Sequence, residues 1–140
     1  MDIRKEIIGY LESLPQQKRK EIETLDNYIR ELLPDCELWF LDGKDSDGKT
    51  VSNPSIGYGT QTLRYQKGKS KKFYQIGISA NARGISIYIM GLKDRTYLSK
   101  KYSQDLPKAS ITGYCIKFKT LMDIDIVALK RALVDGINCF

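Results

Sequence analysis

The sequence predicts an α+β fold: an antiparallel sheet of five to six strands covered on one face by helices from the two ends of the chain. Two observations predict it. Apolar residues recur at helical spacing near both termini and at a spacing close to two through the middle, with prolines and glycines where one pattern gives way to the other. The order of helices, then strands, then a helix places the helices together against one side of the sheet. A chain of 140 residues with 41% hydrophobic content is the size of one domain with one core, and no repeat, low-complexity tract or linker divides it.

Asp2 is positioned to cap a helix over residues 3–14, where Ile3, Ile7, Tyr10, Leu11 and Leu14 recur at steps of three and four. Pro15 ends it, because proline has no N–H to give the helical ladder. A second helix, about 17–33, lines up Ile22, Leu25, Ile29, Leu32 and Leu33, and Pro34 disfavours helix in the residue before it. The period then changes to two. Residues 38–41 read as a strand, 42–53 as a long polar loop, and 56–58, 63–66, 73–79 and 85–90 as further strands. Turns are expected at Gly68 and at Asn81-Ala82-Arg83-Gly84. The alternation in Tyr74-Gln75-Ile76-Gly77-Ile78 and Ser86-Ile87-Tyr88-Ile89 suits an antiparallel sheet with one covered face. Asp94 caps a short helix to Tyr102, residues 106–113 read as a loop, and 114–118 as the last strand. Asp123 or Asp125 caps a closing helix whose stripe is Ile126, Leu129, Ala132, Leu133 and Ile137.

The composition narrows the function classes. Cys36, Cys115 and Cys139 include no C-x-x-C pair, and the chain has no histidine, so Cys/His metal sites and Cys/His catalytic pairs are excluded. Reduced structural thiols are expected. No apolar run approaches the ~20 residues that cross a bilayer. The opening segment is amphipathic and carries acidic residues, unlike a secretory leader, so a soluble cytoplasmic protein without a membrane partner is expected. The net charge of +6 is concentrated in residues 64–72, 93–108 and around Lys117 and Lys119, which favours an anionic partner.

Gly57-Tyr58-Gly59, Tyr65, Gly68, Ile87-Tyr88-Ile89-Met90, Leu106-Pro107-Lys108-Ala109, Gly113, Cys115-Ile116-Lys117-Phe118 and Asp123-Ile124-Asp125 carry a further signal. With the opening Tyr10-Leu11-x-x-Leu14-Pro15, their spacing resembles the YdhG-like domain family of unknown function over nearly the whole chain. The resemblance implies an α+β fold with a curved antiparallel sheet, similar to frataxin in outline, in a bacterial cytoplasmic protein. One relative in that family is regarded as an iron chaperone, so iron handling is implied at the level of the family and attaches to no residue here by motif. The turn after Tyr65, commonly acidic in that family and then tryptophan, reads Gly68-Lys69-Ser70-Lys71-Lys72-Phe73.

Four constellations are candidates for chemistry. Fe(II) takes hard oxygen ligands. Among Glu21, Glu23, Asp26 and Glu31, with Asp35 and Glu37 beyond, Glu23 and Asp26 are three apart on one helix and form the candidate metal pair; Lys18, Arg19, Lys20 and Arg30 offset their field. The run Asp42-Gly43-Lys44-Asp45-Ser46-Asp47-Gly48 has the composition of a calcium loop but the wrong register, since aligning Gly48 leaves Gly43 at the first ligand position and Pro54 at the glutamate position. Gly57-Tyr58-Gly59 marks either tight packing or the backbone wall of a pocket. Tyr58, Tyr65, Arg83, Tyr88 and Lys108 are the residues placed around such a pocket, which suits a small anion. Basic residues interleaved with Tyr65, Phe73, Tyr74, Tyr97 and Tyr102 give nucleic acid as the alternative partner, without an RRM or KH signature. An enzyme would have to rest on Cys115 or Lys108, neither with a partner base in the sequence pattern.

Overall fold

The computed structural model describes residues 2–64, 68–90, 92, 94 and 96–138. Asp2 caps helix α1 (Ile3–Ser13) by accepting the Arg4 N–H at 3.0 Å, and Pro15 separates it from α2 (Gln16–Leu32). The strands that follow are β1 (Leu38–Leu41), β2 (Ser55–Tyr58), β3 (Gln61–Arg64), β4 (Ser70–Phe73), β5 (Ile76–Asn81) and β6 (Gly84–Ile89). After them come α3 (Tyr97–Tyr102), β7 (Ser110–Thr112), β8 (Cys115–Phe118), a 3-10 turn at Leu121–Asp123 and α4 (Ile126–Asn138). Six strands form one antiparallel sheet in the order β1-β2-β5-β6-β8-β7, and β3 pairs with β4 in a separate hairpin. The expected α+β architecture is therefore present, with the sheet at the upper end of its expected strand number.

Alternation assigns every strand residue to a face. Ile56, Tyr58, Ile76, Ile78, Ala80, Ile85, Ile87, Ile89, Ile116 and Phe118 point inward, and they share one core with Ile7, Tyr10, Ile22, Leu25, Ile29, Leu129, Ala132 and Leu133 of the helices. Each fully buried isoleucine contributes about 1.5–3 kcal/mol relative to exposure. All three long helices lie on this inner face.

The structure corrects the sequence reading at two places and chooses between two stated alternatives at a third. The strand expected over residues 73–79 is broken at Tyr74-Gln75 into β4 and β5, which belong to different sheets. The break lets the Tyr74 ring lie flat over Gly57 and Gly77, where an added Cβ would meet ring atoms at 2.6 Å. The loop expected over 106–113 contains β7, joined to β8 by the two-residue turn Gly113-Tyr114 with Gly113 at φ 54°. The closing helix is capped by Asp125, whose Oδ1 accepts the Val127 N–H at 3.0 Å, whereas Asp123 lies in the 3-10 turn before it. The strand end expected at residues 65–66 and the expectation for Cys139 lie outside the described residues.

Candidate anion-binding groove

The sheet register lays the outward side chains in rows. Trp39, Gly57, Gly77, Tyr88, Cys115 and Thr112 stand opposite one another across the six strands. One step along, Ser79, Ser86, Lys117 and Ser110 form a second row. The β1 half of this outer face is covered. Tyr74 fills the trough over the two glycines, and burial together with the neighbouring Tyr88 pushes its hydroxyl up to about 12. The loop before β2 closes over Ser79, whose hydroxyl donates to the Pro54 carbonyl at 2.6 Å.

The β6–β8–β7 half remains open as a groove of about 710 Å³. Ser86 and Tyr88, one from each row, form its floor, Arg83 comes from the β5–β6 turn, Lys108 and Ser110 from the β7 side, and Lys117 and Lys119 from β8 and its exit. Among the described residues no carboxylate lines it, and four cations do. The turn is fixed by Asn81, whose Oδ1 accepts the N–H groups of Arg83 and Gly84 at 2.9 Å each and whose Nδ2 donates to Ser86 Oγ at 3.2 Å. Beneath the turn, the Lys18 ammonium of α2 donates to the Asn81 carbonyl. Lys108 stands 3.6 Å from Asp123 Oδ1, whereas Arg83, Lys117 and Lys119 form no ion pair among the described residues. Exposed cations converging on a concave polar floor attract anions, and that attraction weakens as salt shortens the screening length to roughly 10 Å at 0.1 M.

The five residues placed from sequence around a pocket thus divide. Arg83, Tyr88 and Lys108 line one groove. Tyr58 does not join them, because its strand position points inward: it is fully buried, and its hydroxyl donates to Asp26 beneath α2. Burial first, and the Asp26 carboxylate second, push the Tyr58 hydroxyl well above its ordinary value. Tyr65 lies outside the described residues. Lys117 and Lys119 are legible in the sequence as basic but not as groove residues, because their placement depends on the β7–β8 hairpin, whose first strand lies in the stretch expected to be loop. Gly57 serves packing of Tyr74, which settles the alternatives left open for the Gly57-Tyr58-Gly59 run at that position.

The two candidate metal ligands are each held by an arginine one helical turn away. Glu23 pairs with Arg19 at 2.8 Å and Asp26 with Arg30 at 3.0 Å, and Asp26 also accepts from Tyr58. Glu21, one of the carboxylates considered as oxygen ligands, is 6% exposed and accepts the Leu121 N–H, tying α2 to the 3-10 turn. Among the described residues no group of three or more carboxylates and thiols is gathered for a metal ion. In the polar loop, Asp42 and Asp45 accept nearby backbone N–H groups, as turn residues do. Cys115 is buried in the outer row, and burial pushes its thiol up, away from the reactive thiolate.

Comparisons of the chain with protein-family models, with curated proteins and with solved structures find no match. Among the described residues no helix is long and apolar enough to cross a membrane.

Proposed function

We propose that this domain is a non-enzymatic binding module that holds a phosphate-bearing anion in the groove of Arg83, Tyr88, Lys108, Lys117 and Lys119. One observation carries the reading: among the described residues, four cations from three separate chain segments and no carboxylate line one concave site. Free Cys36 and Cys115 fit a reducing, cytoplasmic setting. The six-stranded sheet with its helices on one face fits the fold implied by the resemblance to the YdhG-like family, and assignment to that family is part of the same proposal. Iron handling gains no comparable support, because Glu23 and Asp26 already bind arginines.

The test is an NMR titration of the protein with inorganic phosphate at low salt. Saturable shifts of the amides of residues 81–86, 110 and 117, with little change elsewhere, are expected. Arg83→Ala and Lys117→Ala should each weaken binding about tenfold, the equivalent of one hydrogen bond to a charged group. Absence of saturable shifts at those amides would overturn the reading.

A further inference from the structure

We propose that the anion held in this groove belongs to a single-stranded nucleic acid that lies across the outer face of the sheet from β8 to β1. The proposal rests on the groove being an anion site and adds what the rest of the same face is for. The row that brings Tyr88 to the groove ends at Trp39 in β1, three strand steps away in the sheet order. At 4.7–4.9 Å per step that is about 14 Å, a span that a few nucleotides of a single strand cover.

Aromatic rings fill the interval. Tyr74 lies over Gly77, the register partner of Tyr88; its ring centroid is 4.1 Å from that of Phe73, and Phe73 is 6.1 Å from Trp39 in an edge arrangement. Phe73 and Trp39 are half-buried, so each keeps ring surface in solvent. Trp39 is oriented by its indole N–H, which donates to Thr60 Oγ1 at 3.2 Å, and the Thr60 hydroxyl donates to Glu37. Exposed Lys69, Lys71 and Lys72 bring cations to this end, with the Lys71 ammonium 5.4 Å from the Phe73 centroid. The face thus has cations at both ends and, toward β1, the solvent-facing ring surface of Phe73 and Trp39, with the buried Tyr74 ring packed behind Phe73. Backbone phosphates need the first and unstacked bases the second. A duplex keeps its bases stacked and has no use for the rings. A small anion would occupy the groove and leave the aromatic track unused.

Trp39 is the only tryptophan in the chain and reports on the track directly. Eight-nucleotide oligothymidylate is titrated into the full chain at low salt with tryptophan emission as the readout, beside the inorganic phosphate titration read at the groove amides. The expected result is saturable quenching. Its affinity falls with salt at a log–log slope of about −2 to −3, corresponding to three or four phosphates. Arg83→Ala/Lys117→Ala should weaken it about a hundredfold. Phe73→Ala should weaken it roughly 5- to 100-fold, the range for one lost stacking partner, while leaving the phosphate-induced shifts in place. Lys71→Ala/Lys72→Ala, on exposed positions, gives the same direction of effect without touching a packed ring. If phosphate shifts the groove amides but oligothymidylate leaves Trp39 emission unchanged, the inference falls and the small-anion reading stands. If neither ligand acts, both fall. Quenching unaffected by Arg83→Ala/Lys117→Ala, or equal affinity for a duplex of the same length, would also overturn the inference.

Discussion

The two faces of the same six strands are built from opposite materials. In β5, Ile76, Ile78 and Ala80 point into the helices, while Gly77 and Ser79 point outward; in β6, Ile85, Ile87 and Ile89 face in, while Ser86 and Tyr88 face out. The inner face holds large apolar side chains that exclude water. In β2 and β5 the outer face uses small residues, so that a tyrosine ring and a loop lie close to the backbone, while a polar groove opens over the β6–β8–β7 half. If the groove binds as proposed, stability and binding fall to alternate residues of one strand, and a substitution at position i should read differently from one at i+1.

The largest expected effect is on the inner face. Ile87→Ala removes a fully buried side chain from the middle of the sheet and should cost about 2–5 kcal/mol in denaturant unfolding. A loss below about 1 kcal/mol would break the division of labour. Next comes Gly77→Ala, whose methyl would meet the Tyr74 ring and should cost ~1–3 kcal/mol by overpacking. Because that cost depends on the ring, it should disappear in the Tyr74→Ala background, and a double-mutant cycle measures the coupling.

A smaller effect belongs to a polar junction at the helical ends. Asp135 accepts from Tyr97 at 3.1 Å, from Tyr102, and from Lys101 at 2.7 Å. Burial opposes its ionisation, but these three donors prevail and hold its carboxyl below the ordinary aspartate value of 3.8. A depressed carboxyl gives stability that is complete above the unfolded value and lost as the pH falls through the folded one. Asp135→Asn should therefore cost about 1–2 kcal/mol near neutrality, with the difference from wild type narrowing only below pH 3.8. A difference that is unchanged at pH 3 would contradict this assignment.

How much of this was legible in the sequence follows from the range of the forces involved. The helices and the inner rows were readable because 3.6 and 2.0 periods are local, as Ile22, Leu25 and Ile29 or Ile85, Ile87 and Ile89 show. The break at Tyr74 was not, because it depends on Gly57, in a separate strand, which together with Gly77 makes room for the ring. Strand β7 was hidden by its length of three residues and its polar alternation, and with it the pairing that sets Ser110 opposite Lys117. Arg83, Tyr88 and Lys108, grouped from sequence, line one groove, whereas Tyr58 is separated from them by the same alternation that turns Tyr88 outward. Glu21 looked like one more surface carboxylate, since nothing local reveals its contact with Leu121, a hundred residues away.

The central claim is that the groove residues serve binding and not the core, and Lys117→Ala tests it most directly when unfolding free energy and phosphate affinity are measured on the same sample. The side chain is exposed on the outer face, so stability should stay within ~0.5 kcal/mol of wild type, while phosphate affinity falls about tenfold. Unchanged affinity, or a stability loss of several kcal/mol, would contradict the account.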